Sequence, residues 1–272
     1  MLLMPFEPFL RWAGGKTWLV PHLQDIIGTT EVYHYHEPFL GGAAIFFNTE
    51  HSFRAYLSDT NDELINTYIC VRDMPEDVIR IVQTYNNTAD DYYRIRELVP
   101  DTAVAQAARF IFLNQTSYNG LFRVNQQGQY NVPFGDRRFW QFDADKIRGA
   151  SQKLKKANIK CCDFEGNKYK IKRHDLIFLD PPYTVSHNNN GFIKYNRNLF
   201  SLEDQQRLSN FIDYIKRKDA YYILTNAAHQ VIADIFEKGD RRFELQRASL
   251  IGGKQAKREP VTEYVFTNIP EG

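Results

Sequence analysis

The sequence predicts an α/β protein: a parallel-rich sheet with helices on both sides, interrupted once by an inserted, mostly helical segment. Three observations carry this expectation. Short apolar, strand-like runs alternate with helix-period segments over most of the chain, the pattern of a parallel sheet covered by helices. The stretch from Val71 to about Trp140 breaks the alternation, with helical segments and then a polar run of no strong period. At 272 residues the chain can bury a sizeable core, as one large domain or one domain carrying an insertion. The predicted division is a sheet-bearing domain over 1–70 and 141–272, with the insertion over 71–140.

Taken in order, Tyr33–Glu37 reads as a strand, and Pro38-Phe39-Leu40-Gly41-Gly42 turns the chain into a short apolar helix from Ala43. Arg54–Asp59 is the next strand. The helix after it presents Leu64, Ile65, Tyr68 and Ile69 on one face. Within the insertion, Ala103–Asn114 is helical and Gln115–Gly135 is loop-rich, with Asn125–Gly128 at a hairpin tip. Strands resume at Asn158–Asp163, Asp175–Asp180, Tyr221–Thr225 and Glu263–Asn268. Between the second and third of these, Ser201 can cap a helix. Asp204 follows three residues on, and Leu208, Phe211, Ile212 and Ile215 share a face. Apart from the short polar run Ser186–Asn190, the sequence has no repeat or low-complexity tract.

Composition narrows the class. Hydrophobic residues at 43% and charged residues at 25% describe an ordinary globular protein. Aromatic residues reach 14%, which serves either a packed core or stacking surfaces. The formal net charge of +1 announces no polyanion partner, but Arg241, Arg242, Arg247, Lys254, Lys257 and Arg258 face only Glu244 in their window. Such a strip is either a solvated face or a track for a phosphate backbone, since the relevant field acts within about 10 Å. Cys70, Cys161 and Cys162 form no CxxC pair, so a disulfide or metal framework is not expected and a reducing compartment is. Residues 1–10 lack a basic n-region and carry two prolines, unlike a signal peptide, and no apolar run has membrane-spanning length. The expectation is a soluble, cytoplasmic protein.

The sharpest chemical signal is Asp180-Pro181-Pro182-Tyr183, directly after the apolar run Leu176–Leu179. Functional groups in open α/β sheets gather at the carboxyl ends of strands. A purine amino group is a poor nucleophile because its lone pair is delocalised into the ring. Two acceptors on its protons favour a pyramidal nitrogen, and Asp180 with the Pro181 carbonyl can supply both. Pro182 helps to stiffen the backbone, and Tyr183 offers a flat face to a base extruded from a duplex. On four residues alone, a rigid turn bearing an exposed acid is the competing interpretation.

The surrounding segments add context. Glu37-Pro38-Phe39-Leu40-Gly41-Gly42 places glycines at a strand-to-helix turn, where a ligand can approach the backbone. Asp59 ends the next strand, near the spacing at which an acid meets ribose hydroxyls in nucleotide-binding α/β units. Together these point to an adenosine-bearing cofactor. Trp12-Ala13-Gly14-Gly15-Lys16-Thr17 resembles a phosphate loop only superficially: the required leading glycine is Leu10, and no strand precedes it. Lys16 can meet a carboxylate, while Trp12 packs either on a cofactor or in the core. In Asn114–Gly135, Tyr118, Asn119 and Arg123 mix base-edge donors with a stacking group, which suits base reading or a plain polar loop.

Across these segments the chain resembles the Dam-type DNA adenine N6-methyltransferase family. The segments are FLRWAGGK at 9–16, EPFLGGAA at 37–44, LSDTNDELI at 57–65, SYNGLFRVNQQGQYNVPFG at 117–135 and DPPY at 180–183. FSLEDQQRL at 200–208, ILTN at 223–226 and TEYVFTN at 262–268 follow in order. The resemblance implies a Rossmann-like methyltransferase sheet with an inserted target-recognition domain bearing a β-hairpin. It implies S-adenosylmethionine as cofactor and S-adenosylhomocysteine as product, no metal, double-stranded DNA as partner, and a monomer.

By the same resemblance, Trp12, Lys16, Asp59 and Asp180 line the cofactor site. Glu37 and the Phe39–Gly42 turn, Gly41 included, hold its methionine part, and Asp163 and Phe164 lie near its adenine. Tyr118, Asn119, Leu121, Arg123 and Arg137 contact DNA, with Arg123 reading guanine and Leu121 wedged beside a base step. GATC is the implied target, although Thr116-Ser117 and Phe122 depart from the best-known members. Many relatives carry glycine where Ala43 stands, a change expected to be minor because alanine is nearly as small. The implied mechanism is direct in-line methyl transfer. No Pro-Cys motif is present, which argues against the thiolate chemistry of cytosine C5 methylation. A silent DNA-binding scaffold is disfavoured by the intact DPPY, Lys16 and Asp59. Enzymes acting on RNA or protein glutamine usually carry asparagine at the position of Asp180.

Overall fold

A computed structural model describes residues 6–49, 54–135, 137, 140–184, 200–248 and 260–271. The run Ser186–Asn190 and the basic residues Lys254, Lys257 and Arg258 lie outside the described residues. The fold is mixed α/β with a seven-stranded sheet. Its strands are β1 (Tyr35–Glu37), β2 (Ala55–Asp59), β3 (Ala157–Cys161), β4 (Leu176–Leu179), β5 (Tyr221–Ala227), β6 (Arg241–Ala248) and β7 (Pro260–Thr267). The chain forms two compact units, one of Met1–His22 with Leu40–Asp163, the other of Leu23–Phe39 with Phe164–Gly272.

In the first unit β2 and β3 pair in parallel, aligning Asp59 with Cys161 at their carboxyl ends. After α1 (Val20–Ile27), helices α2 (Ala44–Asn48), α3 (Asp62–Asp73), α4 (Pro75–Val82), α5 (Ala89–Glu97), α6 (Ala103–Thr116) and α7 (Ala144–Leu154) belong to the first unit. Polar residues start four of them: the side chains of Asn61, Thr88, Thr102 and Asp143 accept from backbone amides of α3, α5, α6 and α7. Residues 92–132 contribute a small core of their own, in which Tyr92, Ile95, Phe112, Leu113, Tyr130 and Val132 are buried.

In the second unit the order is β1-β4-β5-β7-β6. Strands β1, β4 and β5 are parallel, and all four residues of β4 are buried, as expected for a strand covered on both faces. Helix α8 (Leu202–Arg217) begins with the expected reciprocal cap, Ser201 bonding the Asp204 amide while the Asp204 carboxylate accepts from the Ser201 amide. Leu208, Phe211, Ile212 and Ile215 are buried in the core with Phe164, Phe200 and Leu224. A short helix, α9 (Gln230–Phe236), leads to β6.

The antiparallel part of this parallel-rich sheet is at this end, where β7 runs antiparallel to both β5 and β6. The stretch from Arg241 opens as strand β6 rather than a free basic strip. Arg242 pairs with Glu237 and Glu244, Arg247 pairs with Glu263, and Arg241 donates to the carbonyls of Ile269 and Pro270. Glu263 on β7 and Glu237 before β6 lie outside the basic window, so the acids within that window do not describe its pairing. Among the described residues, no helix is long and apolar enough to cross a membrane.

Candidate active site

The sequence-predicted residues fall in both units. In the first, Gly41 is the centre of the turn. Its φ of +45° suits glycine, and a Cβ there would stand 2.8 Å from Trp12 Cδ1. The Trp12 ring thus lies against the Gly41-Gly42 backbone, and a side chain on Gly41 would displace it. Asp59 holds the same turn from β2: Oδ2 accepts the Gly41 amide at 3.0 Å and Oδ1 accepts the Asn61 amide at 3.0 Å. Burial pushes the Asp59 carboxyl above its ordinary range, against the opposing pull of these amides. The Tyr68 hydroxyl donates to the Gly41 carbonyl at 2.9 Å, a contact no motif announced. Trp12, Gly41 and Asp59 are therefore one constellation.

Lys16 is only 4% exposed, and its Nζ donates to the Gly14 carbonyl at 2.7 Å. Asp163 is exposed just beyond β3.

The hairpin residues form a second group in this unit. Asn119 and Gly120 both take positive φ, and a Cβ on Gly120 would fall 2.5 Å from Arg11 Cβ. That tight turn leaves Tyr118 at 49% exposure and Asn119 exposed, while Leu121 packs against the small core. Bridges Ser117↔Phe134 and Val124↔Tyr130 define the hairpin. Arg123 is exposed, and its guanidinium donates to the Asn131 side chain at 2.8 Å, which aims it. Arg137 donates to the Gln115 carbonyl at 2.9 Å. Phe122 stacks on Trp12, with centroids 5.9 Å apart and planes 19° from parallel.

In the second unit, β1 and β4 run in parallel, so Glu37 and Asp180 stand at the same edge of the sheet. Glu37 is buried and accepts the Tyr35 hydroxyl at 2.8 Å. Asp180 Oδ1 accepts the Thr225 hydroxyl from β5 at 2.8 Å, which fixes the direction of the whole carboxylate. Tyr183 donates its hydroxyl to Glu263 of β7 at 2.5 Å. Burial foremost, then the negative charges of Glu263 and Asp180, hold its phenol well above the ordinary tyrosine range, so it stays protonated.

Behind the Asp180–Tyr183 segment lies a buried polar chain. Asn226 donates to Gln205, Gln205 donates to Thr184, and Thr184 donates to the Phe200 carbonyl. Buried amides persist where their partners are supplied, and here the chain locks the backbone following Tyr183. Phe39 stacks on Phe164 at 5.4 Å, and Phe164 is itself part of the core with Phe200 and Phe211.

Thr225, Gln205, Asn226 and Glu263 are the residues that sequence reasoning passed over. They lie within or beside the runs ILTN, FSLEDQQRL and TEYVFTN, so the runs were visible and the roles were not. Among the described residues, no three His, Cys, Asp or Glu side chains are grouped to hold a metal ion.

A family model described as the D12 class of N6 adenine-specific DNA methyltransferases matches residues 12–250. The chain is similar to a type II methyltransferase of Lactococcus lactis subsp. cremoris, 32% identical, covering 96% of this chain and 95% of that one. It is 29% identical to a type II methyltransferase of Methanocaldococcus jannaschii, over 90% and 91% of the two chains. It is 30% identical to a DNA adenine methylase of Haemophilus influenzae, over 95% and 92%.

Proposed function

The chain belongs to the D12 class of N6 adenine-specific DNA methyltransferases, and from that premise we propose that it methylates N6 of an adenine flipped out of duplex DNA, with S-adenosylmethionine as donor. The observation that carries the reading is the anchored Asp180-Pro181-Pro182-Tyr183 segment at the carboxyl end of β4, where Thr225 orients the acid.

The residues present fit the donor. When bound, it supplies a methyl group activated on a sulfonium. The Gly41 turn lets the Trp12 ring lie directly against its backbone, in the space a Cβ would need, and so brings that ring to the proposed site. The sheltered carboxylates of Glu37 and Asp59 suit an ammonium and ribose hydroxyls, and Lys16 suits a carboxylate. Trp12, Phe39, Asp163 and Phe164 complete the proposed set.

At the reacting nitrogen, Asp180 accepts a hydrogen bond from one amino N–H and the Pro181 carbonyl from the other, exposing the lone pair in line with the methyl, and one N6 proton leaves after transfer begins. Pro181 and Pro182 limit the backbone freedom of that carbonyl. Tyr183 stacks on the base, so the rate comes mainly from positioning and fixed dipoles. Base extrusion costs a few kcal/mol, offset by this stacking and by filling the vacated space. The segment 71–140 is proposed to read DNA: Arg123 on guanine, Leu121 beside a base step, and Tyr118, Asn119 and Arg137 on bases or phosphates. GATC is the proposed target.

The test is tritiated methyl transfer into duplexes with and without GATC, comparing the native protein with Asp180→Ala. Label on adenine N6 in GATC duplexes only, reduced at least about a hundredfold by the substitution, is the expected result. Label on other duplexes discards GATC alone. A folded, cofactor-binding protein that labels no DNA overturns the reading.

A further inference from the structure

A stacking platform needs only the face of an aromatic ring, and phenylalanine provides one as well as tyrosine. Yet the Tyr183 hydroxyl is bonded to Glu263, a carboxylate only 1% exposed in the middle of β7. Glu263 sits opposite Ala227 of β5 and Leu245 of β6. On β6, Arg247 is two residues from Leu245 and so on the same face, a diagonal neighbour of Glu263. Its Nε donates to Glu263 Oε1, and the two side chains are 15% and 1% exposed.

Burying a carboxylate is unfavourable unless it is paired and hydrogen-bonded. Here Arg247 supplies the countercharge at one oxygen, which leaves the other directed at the tyrosine. The pair tethers the far tip of the ring while Pro182 and Thr184 hold its backbone. A ring tethered at both ends has little freedom to tilt, and reacting groups displaced by about 1 Å can lose a hundredfold in rate. The TEY run at 262–264 thereby gains a role that stacking chemistry alone does not assign.

We propose that Glu263, braced by Arg247, is a positioning residue that sets the plane of Tyr183 for the target adenine without touching the base. The inference rests on the reading of Tyr183 as the stacking platform. Tyr183→Phe removes the hydroxyl while keeping the ring and the Glu263–Arg247 pair, so it is the principal variant. Glu263→Gln and the double variant accompany it, each checked first by thermal unfolding.

In single-turnover transfer, Tyr183→Phe is expected to slow methylation about tenfold, the size of one charge-assisted hydrogen bond, with cofactor Kd unchanged. A 2-aminopurine at the target position should show altered fluorescence as the ring loosens. Glu263→Gln should act in the same direction, and the double variant should be no slower than the slower single one, because both break one linkage. If Glu263→Gln does not fold, the phenylalanine variant alone decides. Native rate and unchanged 2-aminopurine signal in Tyr183→Phe overturn the inference. Tyr183→Ala separates the two levels: lost activity there with native activity in Tyr183→Phe discards the tether alone, whereas native activity in both discards the platform itself.

Discussion

Gly41 and Ala43 stand two residues apart, both with left-handed backbone, φ +45° and +53°. At Ala43 the chain tolerates a conformation that costs an L-residue about 1–2 kcal/mol. The expectation that alanine there is a minor change weighed side-chain size, whereas the backbone angle is what matters. At Gly41 the same penalty would be joined by collision with the Trp12 ring, 2.8 Å from the would-be Cβ. Gly41→Ala should therefore lower stability by about 2 kcal/mol and weaken cofactor binding at least about tenfold, since the amide that Asp59 holds must move. Thermal unfolding and calorimetric titration with S-adenosylmethionine measure both. A variant with native melting temperature and native affinity would show that the turn is not the cofactor cradle. The types of Asp59, Asp180 and Gly41 were legible in the sequence because each ends a strand or forms the turn after one. Thr225 and Tyr68 were not, because their partners lie 45 and 27 residues away.

Among the elements, the hairpin between α6 and Gly135 is tied to the glycine turn by one aromatic stack. Phe122 stacks on Trp12 and packs at a tilt against Phe110 at 5.5 Å and Tyr130 at 5.8 Å, and Trp12 in turn covers Gly41 and Gly42. Phe122, expected with Thr116-Ser117 to depart from the best-known members, is thus one ring removed from the proposed cofactor turn. Phe122→Ala would open a gap beside Trp12 and should cost about 1–3 kcal/mol of stability, less than a fully buried phenylalanine because Phe122 is half-buried. It should also weaken S-adenosylmethionine binding several-fold, although Phe122 belongs to the proposed DNA-reading hairpin. Unchanged cofactor affinity in a folded Phe122→Ala would confine its role to the hairpin. The hairpin tip was legible from Asn125–Gly128, but the stack was not, since no local period connects residues 12 and 122. Strand β6 was missed for the opposite reason. Phe243 and Leu245 alternate with Arg242, Glu244 and Gln246, a period-two signal masked by the density of charge around it.

Over the whole molecule, the alternation of strands and helices made the parallel core predictable, whereas the antiparallel β7 and β6 depend on pairings that a local pattern does not encode. The second unit also separates its chemistry from its structural anchorage. Glu37 and Asp180 occupy the carboxyl edge of β1 and β4. At the opposite end Asp175, fully buried, takes a hydrogen bond from His34 Nδ1 at 2.9 Å and from His36 Nε2 at 3.0 Å. Its backbone carbonyl also accepts from Tyr221 at the start of β5, so this one residue joins the entries of three strands. Burial holds the His36 imidazole below its ordinary range, with the Asp175 bond pulling the other way. For Asp175, burial alone would raise the carboxyl, but the bonds from His36, the Lys172 amide and His34 outweigh it and hold it below the usual range. The two shifts act in different windows. Above about pH 6.5 His36 is neutral in both folded and unfolded chains and contributes no pH dependence. As pH falls through that value the unfolded chain takes up a proton that the folded one resists, and stability declines. The Asp175 contribution is complete above about pH 4 and disappears only as pH drops through its lowered folded value. Denaturant unfolding between pH 7.5 and 3 should then show two successive losses. His36→Gln, whose amide can donate to Asp175 without titrating, should reduce the loss between pH 7.5 and 5.5 and leave the more acid one. A variant profile that parallels the native one throughout would assign the milder acid loss to other groups.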